Sequence, residues 1–346
     1  MNKVIVASYM GSGSSAVTDL LSEYDNVHCP HGSYEYIFLH CPGGLFDLED
    51  KLLVGNNALR SDEALRTFEQ TMQGLFENEH WWFGDYRSKV SNRFMDYVGK
   101  LIAELGPTSF EGFWYEQEKL DKNAWKTIRL KKKLGAKTFE LLGTQLRMAF
   151  PTPDEFYKAA RSFIDATLTD LTEGTNEKTL LLDQLLLPHN LWRAENYFDG
   201  DDTRIIVVSR DPRDVFALNK YVWRKQNVPI PLPFDAEGFC TCYRRMREAE
   251  RPATSGAILR IQFEDLVLDY ENTVAKVESF VGCPMLGEHV EKRARFNPEV
   301  SKGNLGVFGF SADASREAEI IAKELPEYTY PLDETTIAPK SIAQSF

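Results

Sequence analysis

The chain has 346 residues, with 40 Lys plus Arg against 52 Asp plus Glu, a net charge of −12 and a hydrophobic share of 43%. That is too apolar for a disordered chain and too polar for a membrane-embedded one, and the length suits one large α/β domain or two smaller ones. The acidic balance argues against whole-surface attraction to nucleic acid or anionic lipid, so an anionic ligand must be held by a local group of donors. Five Cys with no CxxC pair argue against a disulfide framework and a structural zinc site. No apolar run reaches membrane-spanning length, and the apolar residues before the first polar turn fall short of a signal-peptide core. The expectation is a cytoplasmic protein with reduced thiols, no metal, no nucleic-acid partner, no membrane span and an open oligomeric state.

The first predicted strand, 4–7, runs into Ser8-Tyr9-Met10-Gly11-Ser12-Gly13-Ser14-Ser15 and then a helical pattern over 14–24. Small residues let backbone N–H groups converge on an anion, and a helix starting there adds unpaired amides and a positive dipole end. Gly11, Ser12, Gly13, Ser14 and Ser15 are therefore candidate ligands of a phosphate or sulfate. The plainer alternative is a tight turn with Ser12 or Ser14 as N-cap. Gly11-Ser12-Gly13-Ser14-Ser15-Ala16 also fits the G-x-G-x-x-A dinucleotide pattern, with Asp25 or Glu35 as ribose acceptor, although three residues separate the first glycine from the strand. No lysine precedes the serines, so an ATP-type P-loop is disfavoured.

A short strand at about 26–29 leads to His31-Gly32-Ser33-Tyr34-Glu35-Tyr36, which brings Glu35 and His31 near the carboxyl edge of the sheet. The spacing of His28, Cys29, His31, His40 and Cys41 matches no common metal site. Residues 45–174 read as a helical insertion, with Leu65, Phe68, Met72, Leu75 and Phe76 on one helix face. Arg129, Lys131, Lys132 and Lys133 form a basic run, either a solvated face or the lining of a path for an anionic ligand. Trp81-Trp82 and Trp114-Tyr115 are either core aromatics or sugar-stacking platforms.

Strands are predicted again at 180–182, 205–208 and 257–261, with helices at 191–198, 214–225 and 270–281. Repeated strand-then-helix units predict the α/β class with a mainly parallel sheet. Asp183 leaves the 180–182 strand at the carboxyl edge. The 205–208 strand ends in Ser209-Arg210-Asp211-Pro212-Arg213-Asp214, with Pro212 suited to a helix start. Arg210 either meets an anion there or pairs with Asp211 or Asp214. A last helix is expected at about 311–325, before a loosely held tail over about 327–346. The whole is expected to be a single domain.

Four segments, in order, resemble the sulfotransferase family that uses 3'-phosphoadenosine 5'-phosphosulfate (PAPS). They are Ser8 to Ser15; Ile206 through Asp214; Leu259-Arg260-Ile261-Gln262-Phe263-Glu264-Asp265-Leu266; and Ser301-Lys302-Gly303-Asn304-Leu305-Gly306-Val307-Phe308. The resemblance implies a three-layer α/β/α, P-loop-like fold and transfer of a sulfuryl group to an acceptor hydroxyl, of a carbohydrate or glycolipid. It implies that the first loop holds the 5'-phosphosulfate, that Arg210 and Lys302-Gly303 hold the 3'-phosphate, and that Glu264-Asp265 buttress the sheet. Glycan-directed members commonly use a Glu where Glu35 stands, so Glu35 is the first candidate base, Asp183 the second and His31 the third.

The chain departs from the family pattern at four places. The first-loop cation falls on Gly11, so another residue must supply it. The serine ligand eight residues after the motif Arg falls on Leu218, with Asn219 one residue later as a substitute if the helix shifts. The Arg and Trp of the last motif are Ser301 and Phe308. Two other classes compete: a non-catalytic nucleotide- or glycan-binding module on the same fold, and a nicotinamide-dependent dehydrogenase resting on the glycine pattern.

Overall fold

The computed structural model describes residues 1–112, 120–226, 228, 232–253 and 256–333. The chain divides into two compact units, 1–37 with 172–346, and 38–171.

In chain order, the first unit opens with β1 (Asn2–Ser8), α1 (Ser14–Leu21) and β2 (Val27–His28). The second unit holds α2 (Leu45–Leu53), α3 (Ala58–Glu77), α4 (Phe94–Glu104), β3 (Thr108–Gly112), α5 (Lys122–Lys133), β4 (Thr144–Met148) and α6 (Pro153–Asp170). The first unit resumes with β5 (Thr179–Asp183), β6 (Thr203–Ser209), α7 (Pro212–Ala217), α8 (Ala236–Glu248), β7 (Ile258–Gln262), α9 (Phe263–Leu268), α10 (Tyr270–Val281) and α11 (Ala312–Glu324).

The first unit is built on a five-stranded sheet in the order β2-β5-β1-β6-β7, every pair parallel. Its central strands are apolar on both faces, as a sheet covered by helices on each side demands: residues 4–7 of β1 and all of β5 are buried. Val4, Val6, Leu181, Ile206 and Val208 share one cluster with Val17 and Leu20 of α1 and Val277 of α10. Counted within this sheet, the strands lie 2-3-1-4-5, whereas the dinucleotide fold runs 3-2-1-4-5-6. The glycine pattern therefore stands on the wrong sheet for the dehydrogenase reading.

Two predicted helices change character. The 191–198 pattern is a 3₁₀ turn (Pro188–Arg193) followed by a short helix (Ala194–Tyr197). The helix expected over 214–225 begins at Pro212 and passes into a π-helical segment at Leu218–Trp223.

The second unit packs Phe38, Phe68, Phe94 and Phe163 in edge-to-face and tilted pairs with centroids 5.7 to 6.2 Å apart. Leu65, Phe68, Met72 and Leu75 are buried as the helical spacing predicted, and Phe76 is half-buried beneath Arg87. The expectation of an almost wholly helical stretch needs correction, because β3 and β4 pair antiparallel here. Each strand has five residues, β3 mostly exposed and β4 with only Leu146 buried, so too little alternation exists for the pattern to register. Trp81 and Trp82 are exposed rather than core. Trp114 and Tyr115, and the tail from 334 onward, lie outside the described residues.

Candidate functional site

In a parallel sheet all carboxyl ends face one edge, and ligands bind there. The segments leaving β5, β1 and β6 at this edge begin with Gln184, Tyr9 and Arg210.

The loop after β1 owes its shape to two left-handed glycines, Gly11 (φ 74°) and Gly13 (φ 87°). Both are required. A β-carbon on Gly11 would lie 2.8 Å from Trp223 Cη2, and one on Gly13 would lie 2.8 Å from Phe263 Cδ2. Gly13 is itself the N-cap of α1, so no side chain caps that helix. This corrects the alternative in which Ser12 or Ser14 would be the cap. The opening amides of α1 thus have no side-chain acceptor, the electrostatic condition for an anion site. The Ser12 hydroxyl is buried without a hydrogen-bond partner, and Ser15 is exposed.

Gln184 also has a left-handed backbone (φ 57°). Its side chain folds back onto the β1 end, accepting from Ser8 N–H at 3.1 Å and donating to Ser8 Oγ at 2.7 Å and to Ser14 Oγ at 3.4 Å. A strained residue thereby fixes the mouth of the first loop.

Beside it, Glu35 and Asp183 form a parallel bridge, with Tyr36 N–H donating to the Asp183 carbonyl at 3.1 Å. The sequence candidates Glu35 and Asp183 are thus brought together. Burial pushes the half-buried Glu35 carboxyl up to about 7. Burial, and then the charge of Glu35, raise Asp183 to about 8, against the hydrogen bonds of Ser14 and Thr18 that favour its ionised form. Thr18 Oγ1 donates to Asp183 Oδ2 at 3.2 Å, and Asp183 Oδ1 has no partner. Two carboxyls raised toward neutrality can hold and pass a proton near pH 7. His31 is exposed, its ring 6.1 Å from that of Tyr34.

After β6, Arg210 is only 5% exposed. It donates to the Asn304 carbonyl, lies 3.7 Å from Asp214 Oδ2, and sits 4.8 Å above the Phe263 ring. The pairing with Asp214 is real, yet Arg210 Nε keeps no partner. Arg210 therefore joins the 301–308 segment to the turn. Asp214 completes the join by accepting from Gly306 N–H at 2.9 Å and Phe308 N–H at 3.3 Å. Burial raises the Asp214 carboxyl to about 6, against the nearby Arg210 charge. Glu264 accepts from Asp211 N–H at 2.9 Å, so it holds the turn. Lys302 Nζ bonds Glu299 at 2.7 Å, and Gly303 continues the same short 3₁₀ turn.

Asn219 is buried where the π-helical segment begins. A π turn accommodates one extra residue, which supplies the one-residue shift that separates Asn219 from Leu218. Leu218 packs with Ala217, Val222 and Phe308. Asn219 Nδ2 donates one of its two N–H groups to the Val215 carbonyl at 2.6 Å and Oδ1 has no partner, so the side chain keeps one donor and its carbonyl oxygen for a ligand.

Sequence reading missed the aromatic support of this edge. Trp223 faces Gly11 and Phe263 faces Gly13. The Arg247 guanidinium lies 4.0 Å from the Tyr9 ring and 4.7 Å from that of Tyr328, while Tyr9 Oη donates to Glu250. No local spacing announces these partners, because they come from 81 to 250 residues away only through the fold. The Arg-Asp-Pro-Arg-Asp run did carry a usable signal for Asp214: a helix-opening acid four residues after Arg210, the spacing at which the two meet.

Among the described residues no three His, Cys, Asp or Glu side chains converge as a metal site, and no helix is long and apolar enough to cross a membrane. All five cysteines are free.

No curated protein matches the chain in sequence. Among solved structures it is similar to the sulfotransferase domain of the olefin synthase of Synechococcus PCC 7002, at 16% identity over 96% of this chain and 95% of that one, TM-score 0.37. It is similar also to a sulfotransferase from Alicyclobacillus acidocaldarius, at 11% identity over 99% and 98%, TM-score 0.38. A sulfotransferase from Mycobacterium avium follows, at 11% identity over 96% and 78%, TM-score 0.37. Residues 116–286 match the model of the sulfotransferase family. That span takes in Asp183, the Arg210 turn and the Glu264 buttress, so the chain is similar to the sulfotransferase family over the part that carries them.

Proposed function

We propose that the protein moves a sulfuryl group from PAPS to a hydroxyl of a carbohydrate or glycolipid, releasing adenosine 3',5'-bisphosphate. One observation carries this reading. Ser12 Oγ, Asp183 Oδ1, Arg210 Nε and Asn219 Oδ1 are buried without partners; Asp183 ends β5, and the other three lie on the segments leaving the carboxyl ends of the adjacent strands β1 and β6. Unpartnered buried polar atoms are costly, so a cluster at a ligand-binding edge fits a polar, anionic ligand. The donor, when bound, supplies the activated sulfuryl group.

The residues divide the work. The α1 amides and the hydroxyls of Ser12, Ser14 and Ser15 bind the 5'-phosphosulfate end through the loop held by Gly11 and Gly13. Arg210, with Lys302 and Gly303 beside Asn304, binds the 3'-phosphate. Asn219 turns its acceptor toward a hydroxyl or amine of the nucleoside. Glu35 takes the acceptor proton. Asp183, held neutral by burial beside Ser14, keeps that hydroxyl oriented without repelling an anion. Free thiols support a reducing compartment, the cytoplasm.

The Gly11–Trp223 contact favours a second reading, a module that binds the nucleotide without turnover, since the place of the first-loop cation is closed. Thermal melting with adenosine 3',5'-bisphosphate, NAD and ATP, followed by transfer of labelled sulfate to a carbohydrate and glycolipid panel, tests both. Stabilisation by the bisphosphate with label transfer supports the enzyme. Stabilisation without transfer favours the module, and selective stabilisation by NAD overturns both.

A further inference from the structure

Helix α5 has no buried residue. Its twelve residues carry Lys122, Lys126, Arg129, Lys131, Lys132 and Lys133 and no carboxylate, on a chain of net charge −12. Among the described residues none of these six cations is paired with a carboxylate. The positive charge is therefore local and unspent.

The arrangement is two-sided. At about 100° per residue, Ala124, Trp125 and Ile128 share one side and are half-buried. On the opposite side Lys122, Lys126 and Lys133 flank Leu130 and the C-capping Leu134, which are 60% and 79% exposed. Leucines so open, set among lysines, need a partner that is apolar and anionic at once. A nucleic acid matches the lysines but leaves both leucines against phosphate and water. A bilayer with anionic headgroups matches both, because lysine ammonium groups stay at headgroup level while their stems and the leucines reach the acyl boundary.

We propose that α5 docks the protein peripherally on an anionic membrane surface. The inference uses only residues of the 38–171 unit and stands apart from the sulfuryl-transfer reading. Each cation near such a surface is worth about fivefold in partitioning, and the six together suffice for salt-sensitive, reversible attachment.

Co-sedimentation of the full chain with phosphatidylcholine vesicles, with and without phosphatidylserine, is the test. Binding should require phosphatidylserine and weaken as salt rises. Lys126→Glu with Lys133→Glu should lower it tenfold or more. Leu130→Ser with Leu134→Ser should also lower it severalfold at unchanged charge, with circular dichroism and melting temperature near wild type in both variants. Absence of phosphatidylserine-dependent binding, or binding that survives the charge reversal, overturns the proposal. So does an oligonucleotide arm in which the chain binds single-stranded DNA while the leucine variant keeps full vesicle binding, for then the helix reads polyanions rather than a bilayer.

Discussion

The indole of Trp223 faces Gly11 so closely that a β-carbon there would fall 2.8 Å from its Cη2, where the family's first loop carries a lysine or arginine. The missing cation is thus a matter of packing as well as of sequence. Gly11→Lys should not rescue turnover. It must adopt φ 74° and displace the indole, a combined cost of about 2 to 4 kcal/mol. Urea denaturation measures the loss, and a mutant as stable as wild type with raised turnover would show that the loop opens more readily than this packing allows.

Glu35→Gln should cut sulfuryl transfer by about a hundredfold or more with little change in bisphosphate affinity. The matched Asp183→Asn, which keeps the neutral shape of a protonated Asp183, should cost far less. A dead Asp183→Asn beside an active Glu35→Gln would reverse the roles.

The same pair sets a pH dependence of stability. Both carboxyls titrate above their unfolded values in the native state. Their contribution is complete below the unfolded carboxylate range and is lost as pH rises through about 7 to 8. Melting temperature should therefore decline from the ordinary carboxylate range up to about 7 to 8 and level off above it, and Asp183→Asn should flatten the decline. An identical slope in the variant would mean that Asp183 is ionised in the folded protein.

Arg210→Ala should weaken adenosine 3',5'-bisphosphate binding by about 1.5 to 3 kcal/mol, the range for hydrogen bonds to charged groups. It also strips Asp214 of its cation, so the Asp214 carboxyl should titrate higher still. Arg210→Lys, which keeps the charge but not the fork, should recover stability better than affinity. Calorimetric titration alongside melting separates the two losses, and unchanged affinity in a folded mutant would confine Arg210 to its turn.

Glu23 is a further test away from the proposed chemistry. It is buried and accepts from His289 Nε2 at 2.7 Å and from the backbone N–H groups of Arg293, Arg295 and Phe296 at 2.8 to 3.0 Å. Despite burial, these bonds hold its carboxyl below the ordinary range. Its stabilisation is present above the unfolded carboxylate pKa and is lost as pH falls through the lower folded value. Glu23→Gln should cost about 2 to 4 kcal/mol at neutral pH, and the difference from wild type should shrink in acid. A constant difference across pH would rule out an ionised Glu23.

Strands β1, β5 and β6 were legible because each is an apolar run long enough to be buried on both faces, and the first loop was legible because small residues cluster at its turn. Asp183 and Glu35 were individually visible as acids near the sheet edge. Their bridge was not, since residues 148 positions apart meet only through strand order. The β3–β4 ribbon left too short and too exposed a pattern to be seen. Asn219 shows a subtler limit: its register depends on a π turn, and helix periodicity assumes that no residue is inserted. The aromatic backing of the glycines was invisible because glycine records only that something is close, never what.

The segment from Gly306 to Phe308 is held at Asp214 through two main-chain amides rather than through the side chains of Ser301 or Phe308. An amide proton is common to every residue type but one. Drift at position 301 therefore leaves this hold untouched, whereas position 308, buried against Ala217, Leu218 and Val222, tolerates a departure from the family's tryptophan only to another large apolar side chain. Only proline, at 306 or 308, would remove a donor and let that end of the edge come loose.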